Sequence, residues 1–348
     1  MSEAPGAYTV FIDGVALWTP TLVDWPQAAA AFRSPGPLPT TVVPAPRPAP
    51  ALLAANERRR APDSVLLALQ VAQAAVAMSG HAAHTLASVF TSAYGDLPIV
   101  DALCSSLASD PLMLSPTRFH HSVHNAASGY WAVASGSHAS STALAAAQHS
   151  FAAGLLEAAA LCTAEQQPVL LVGYDTTACG PLASVNTSRG LLAVALVLAP
   201  LAGPKSRWRL GWGVAPADPG DSVDSGDPGD SRDSRDSINA LDSRDSPDSR
   251  DPGDLGDPWT GVTAPRSAAA QACASNAMAD ALPLFEALAR GQASDLTLAL
   301  APTLPLPLPF PLPFPLPLPL PLPLPLPLPL LAPSSVQLHL QLTPMPAA

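Results

Sequence analysis

SPTRFHHSVHNAASGYWAVASGSHASSTALAAAQHSFAAGL, running from Ser115 to Leu155, is the stretch on which the fold turns. Within it Leu144, Ala147, Phe151 and Leu155 recur at helical spacing, which predicts a helix with one buried face, its start capped by Ser140 or Ser141. Working outward, VLLVGYD (169–175) and GLLAVALVLA (190–199) are continuous apolar runs of the kind that suits central strands covered on both faces. Upstream, YTVFIDGVALW (8–18) alternates and is rich in β-branched and aromatic residues, so it reads as a strand. The Pro-rich run 35–50 after it reads as an extended loop. Val65, Leu69, Ala72 and Val76 form an apolar stripe between Asp63, placed to cap a helix, and Gly80, placed to end it. ASVFTSA (87–93) then gives a short strand. Strands separated by helices imply a parallel or mixed sheet in a layered α/β fold.

Two low-complexity tracts interrupt this pattern. Residues 218–258 carry thirteen aspartates, one at every third position except Asn239, and four arginines, a net of −9 out of the chain's −11. Such a period buries no face and offers too little apolar surface to offset chain entropy, so disorder is expected. An EF-hand reading fails because the tract lacks the defined turn and terminal Glu of that loop. The second tract, residues 303–333, alternates Leu or Phe with Pro from Leu304 to Leu330. It cannot form a membrane helix, because every second residue lacks an amide hydrogen and clashes with the turn before it. Polyproline II, roughly 3.1 Å per residue, is its expected form. Setting aside these 41 and 31 residues leaves 276 of 348, enough for one sizeable core.

The organisation expected is therefore 1–217, the Asp/Ser-rich insertion 218–258, a helix and strand at 259–302, the Leu-Pro repeat 303–333, and a strand with tail at 334–348. LPLFEALARG, LTLAL and SVQLHLQL supply the C-terminal helix and two strands, and the Leu-Pro tract swells the turn between neighbouring strands. Outside the acidic tract the charge is close to neutral, Lys205 is the only lysine and Arg58-Arg59-Arg60 the only basic cluster, which argues against nucleic-acid binding. Cys104, Cys162, Cys179 and Cys273 show no C-x-x-C spacing, which fits free thiols in a reducing, cytoplasmic compartment. MSEAPGAYTVFIDG has no basic region leading into an apolar one, so no secretory signal is expected.

NERRRAP (56–62), SPTRFHHSVHNAASGYW (115–131) and SFAAGLLEA (150–158) resemble the short β-ketoacyl-synthase-like N-terminal-domain proteins. Asn125, Ala127 and Gly129 fit that family's N-x-A-x-G, Tyr130 to Gly136 its short strand-like run, and Thr142-Ala143-Leu144 its T-A-C elbow. The resemblance covers about 8–217, and more weakly 262–300 and 335–343, and implies a thiolase-like helix-sheet-helix fold, truncated relative to a full ketosynthase. At the elbow Leu144 replaces the cysteine. The synthase reaction starts from a thiolate at a helix N-terminus, where the positive dipole end lowers its pKa, and a leucine methyl can do none of this. The family also needs two histidines from its C-terminal half, whereas beyond the elbow only His149 and His339 remain.

The resemblance thus implies a non-catalytic subunit similar to a chain length factor. It would have no cofactor, would pair with an active ketosynthase and, through that partner, would meet an acyl carrier protein in fatty-acid, polyketide or aryl-polyene synthesis. His124, Asn125, Gly129, Tyr130, Trp131, Ser141, Thr142 and Leu144 are its tunnel or interface candidates, with Tyr130 and Trp131 as a wall. DALCSSLA (101–108) copies a polyketide-synthase elbow, but Cys104 precedes Asn125, the wrong order, in a helix-like run, and reads as a packing residue. His120, His121 and His124 lack the Glu of H-E-x-x-H and a fourth ligand, so no metal is expected. Gly136-Ser137-His138-Ala139-Ser140 lacks the last glycine of G-x-S-x-G. Two other classes stay open: an acyltransferase using Ser141, Ser137 or Cys104, and a scaffold that recruits a protein through its Leu-Pro tract.

Overall fold

The computed structural model describes residues 8–37, 43–45, 47–184, 188–216, 262–300 and 336–346. The Asp-rich and Leu-Pro tracts, with the readings given to them above, lie outside the described residues. In chain order the elements are β1 (Tyr8–Trp18), α1 (Trp25–Arg33), α2 (Ala55–Arg60), α3 (Asp63–Ser79), β2 (Ala87–Thr91), α4 (Leu97–Ser109), α5 (Pro116–Ser122), α6 (Ala126–Ser135) and β3 (Ser141–Leu144). There follow α7 (Ser150–Glu165), β4 (Val169–Asp175), β5 (Leu192–Ala199), β6 (Trp208–Pro216), α8 (Ala268–Gln271), α9 (Leu282–Arg290), β7 (Ser294–Ala299) and β8 (Val336–Pro344).

All eight strands join one sheet in the order β3-β2-β4-β5-β1-β6-β8-β7. It is mixed: β2 runs parallel to β3 and β4, and every other neighbouring pair is antiparallel. The apolar runs β4 and β5 are buried at every position because both faces are covered. Alternate side chains go to opposite sides. Val169, Leu171, Leu196 and Leu198 pack with Phe32 of α1, Phe151 and Leu155 of α7 and Phe285 of α9. Leu170, Val172, Ala195 and Val197 pack with Val65, Leu69 and Ala72 of α3 and Trp131 of α6. Helices therefore cover the sheet on both sides, the layered α/β arrangement expected. The C-terminal helix and two strands form as α9, β7 and β8, and β7 and β8 are antiparallel neighbours, so the segment between them joins adjacent strands.

Several local expectations are corrected. Tyr130 to Gly136 is the second half of a helix, not a strand, because Ala127 and Trp131, four apart, bury against α3 in an alanine-rich segment that Gly136 ends. The long helix starts at Ser150, not at Ser140 or Ser141, since Ser141 to Leu144 pairs with Ser88 to Thr91 as a parallel edge strand. Asp63 does not cap α3. Pro62 occupies the cap position, and the Asp63 carboxylate accepts a hydrogen bond from Arg47 Nε at 2.6 Å. Helix α1 adds to the elements expected: Asp24 caps it by accepting from the Gln27 amide at 2.9 Å, with Pro26 just inside its start.

Strand β1 bulges between Ile12 and Gly14, where α3 rests on it. A Cβ added at Gly14 would lie 2.1 Å from the Ala75 carbonyl oxygen, a backbone atom that cannot rotate away. Gly14→Ala should therefore push α3 off the sheet and cost roughly 3 kcal/mol. Urea unfolding measures this, and an unchanged midpoint would refute the close approach.

Candidate functional site

The parallel strands β2, β3 and β4 end on one edge of the sheet, the place where α/β folds assemble sites from strand ends and helix starts. Here β3 ends at Leu144, whose carbonyl accepts from the Ser92 amide at 3.3 Å. Two residues later a single turn, Ala147 to His149, leads into α7. Ala147 is exposed and has φ of 48°, the left-handed region. An alanine held there is strained by on the order of 1–2 kcal/mol and persists only if its surroundings impose it.

Ser150 imposes it. The buried Ser150 hydroxyl accepts from the Ala146 amide at 2.9 Å and donates to the Ala147 carbonyl at 2.6 Å, closing the turn on itself. Thr91 Oγ1 at the end of β2 donates to the Ser150 carbonyl at 2.7 Å. Gly154, one turn on, lets α7 lie against β2, since a Cβ there would be 2.8 Å from Thr91 Cγ2. A sharp, strained strand-to-helix turn that presents one side chain is the geometry of a nucleophile elbow. The residue presented is Ala147, three positions beyond the Leu144 that spacing pointed to. Leu144 instead packs partly into the core, and Thr142 and Ser141 belong to β3, where Ser141 Oγ accepts from Ser88 Oγ at 3.0 Å.

Two carboxylates lie beneath the turn. Asp175, at the end of β4, accepts from Ser92 Oγ at 3.0 Å and from the amides of Ala93 at 2.9 Å and Tyr94 at 3.4 Å. Burial raises it to about 7 despite these bonds. Asp280 reaches from the approach to α9 to the start of α7, where its Oδ2 accepts from the Ala152 amide at 3.0 Å. Its Oδ1 is enclosed with no partner among the described residues, and burial raises this group to about 8.

The sequence candidates are only partly brought together. His124 Nε2 donates to the Ser92 carbonyl at 2.9 Å and so reaches the strand-end cluster. Asn125 and Gly129 are exposed on α6, and Asn125 uses its carbonyl to accept from the Gly129 amide. Trp131 is a buried core residue against α3, whereas Tyr130 is half-buried and shares a 2.9 Å hydrogen bond with His121 Nε2. Ser137 Oγ accepts from the Ala139 amide, and neither it nor Ser141 hydrogen-bonds an imidazole. Cys104 is exposed on α4 and so is not the packing residue expected, while Cys162 and Cys273 are pushed up to about 12 and about 11 by burial, so both stay protonated thiols at neutral pH. Burial lowers His149. His339 lies on β8, six strands from β3 at about 4.8 Å per strand, too far to act at the elbow. Among the described residues no three His, Cys, Asp or Glu side chains converge as a metal site, and no helix is long and apolar enough to cross a membrane.

The sequence profile described as "Beta-ketoacyl synthase, N-terminal domain" matches residues 31–246. The chain belongs to that family. Comparison of the sequence with curated proteins returns no match. Among solved structures, a type II PKS acyl-carrier protein in complex with its ketosynthase bound to the hexaketide is 14% identical, with a TM-score of 0.50 over 62% of this chain and 70% of that one. A ketosynthase in complex with its chain length factor from Xenorhabdus doucetiae is 26% identical, TM-score 0.49, over 60% and 84%. A β-ketoacyl synthase from Burkholderia phymatum is 16% identical, TM-score 0.49, over 60% and 64%. The fold is thiolase-like, as expected, and the chain covers part of a ketosynthase.

The strained turn carries a pH signature. A carboxyl whose folded pKa is raised contributes most to stability below its unfolded value near 4, and loses that contribution as pH climbs to the folded value. Stability should therefore fall between about pH 4 and pH 8, the window set by Asp175 and Asp280. Asp280→Asn keeps the acceptor for Ala152 and should flatten that fall, which urea titrations at pH 5, 7 and 9 measure. An unaltered pH slope would show that Asp280 is not the buried acid.

Proposed function

We propose that this chain is a non-catalytic ketosynthase-like subunit of the chain-length-factor type, which pairs with an active ketosynthase and helps shape the acyl tunnel of fatty-acid, polyketide or aryl-polyene synthesis in the cytoplasm. Ala147 carries the reading. A family built to present a thiolate at this turn presents a methyl group here, with the turn itself retained. His149 is held neutral by burial and His339 is remote, so the surrounding acid-base set supports the same conclusion.

The exposed surface supports such a pairing. β3 is the last strand of the sheet and pairs on one side only among the described residues. Helix α6, which contacts β3, and α5, α4 and the turn after α4, which follow one against the next, expose Leu107, Leu112, Met113, Phe119 and Val133, with Leu112 94% and Val133 86% accessible. Large apolar side chains left exposed in this number mark a protein-binding surface. An active ketosynthase seated there would have its tunnel closed by this subunit, and its acyl carrier protein would reach this chain only through it.

Co-expression with an active ketosynthase, followed by co-purification and elongation with labelled malonyl carrier protein, tests the reading. The pair should elongate only while the partner keeps its cysteine, and this chain should take up no label. Label on this chain alone would make it an acyltransferase, with Ser141, Ser137 and Cys104 the residues to map. Phe119→Asp with Val133→Asp should abolish co-purification and leave the thermal midpoint of the isolated chain within about 2 °C, because both side chains are exposed. Tyr130→Ala should change the length distribution of the products; an unchanged distribution removes Tyr130 from the tunnel wall.

A further inference from the structure

A cavity of about 500 Å³ opens away from the elbow, between the end of α1, the end of α9 and the chain entering α8. Three exposed arginines, Arg33, Arg266 and Arg290, line it together with Ser34 and Gln292. Two of them are fixed in place. Arg33 Nη1 donates to the Ala289 carbonyl at 2.9 Å, and Arg290 Nη2 lies 3.8 Å from Glu286 Oε1. Glu286 is the one carboxylate that meets them, and its oxygens are already taken: Oε2 accepts from the Arg266 amide at 2.7 Å and Oε1 from the Ser267 amide. Arg266 Nε and its two terminal nitrogens make no hydrogen bond or ion pair with the described residues.

Three arginines around one cleft with a single, largely saturated counter-charge give it a positive potential that favours an entering anion. Guanidinium forks match the oxygens of a phosphoryl group in pairs, which a carboxylate offers only once. The volume exceeds that of an inorganic anion and falls in the range of small-molecule pockets, with Phe32, Pro35 and Ala268 as its apolar lining. We propose that this cavity binds a phosphate ester of a small molecule, the phosphoryl group held between Arg33, Arg266 and Arg290. The site is independent of the elbow and of the pairing surface, so it stands or falls apart from the proposed function.

Titration calorimetry of the full chain with inorganic pyrophosphate, at fixed ionic strength, is the test. Saturable binding with a dissociation constant in the millimolar range or tighter is expected. Arg266→Gln should weaken it about tenfold or more, because a charge-assisted bond is lost while the ligand-free thermal midpoint stays unchanged, Arg266 having no internal partner to lose. Arg266→Lys should fall between the two, keeping the charge and losing the fork. Arg118→Gln, on α5, is the control and should bind as the parent does. No saturable heat, or equal affinity in Arg266→Gln and the parent, would overturn the proposal.

Discussion

The Ser150 hydroxyl is the contact on which the site end of this fold depends. It accepts from one side of the turn after β3 and donates to the other, and so holds an alanine in a backbone conformation that alanine disfavours. Thr91 ties the same residue to the end of β2, and Gly154 lets α7 lie down on the strand beneath. The edge strand, the strained turn and the helix start are thus one unit. Its geometry is independent of what the presented side chain can do chemically, so the elbow persists with a methyl group at its tip.

Asp175 and Asp280 join this unit to the remainder of the fold. Asp175 ties the end of β4 to the loop after β2, and Asp280 brings the C-terminal part of the chain to the first turn of α7. Both are carboxyls in places that disfavour charge, and each is tolerated because backbone amides face it. The first turn of α7 faces the Asp280 carboxyl, whose charged form its amides favour, and burial outweighs them and raises the group towards neutrality.

How much of this the sequence revealed depends on the range of the contact that decides each feature. The central strands β4 and β5 were legible because an unbroken apolar run carries its own burial, and α9, β7 and β8 because each alternates or repeats within a few residues. The elbow was displaced by three residues because Ala145, Ala146 and Ala147 are identical in type, and only the lock from Ser150 and Thr91 singles out the third. Leu144, Ala147, Phe151 and Leu155 mimic a continuous helical stripe, although a strand ends at the first and a helix begins only before the third. Asp280 and the arginine cavity carried no local signal, since their partners come from distant parts of the chain.

The position of β8 in the sheet has a consequence for how the protein is made. It lies between β6 and β7, as the second neighbour of β6 and the one described neighbour of β7, yet it follows both in the chain. At about 5–20 residues per second, β6 waits on the order of ten seconds after its own synthesis before that neighbour exists. During this interval β6 has the backbone edge that faces away from β1 without its partner. Strand β7 is held to the sheet through β8 alone among the described residues, so a strand made earlier joins the sheet only after a later one has been inserted beside β6.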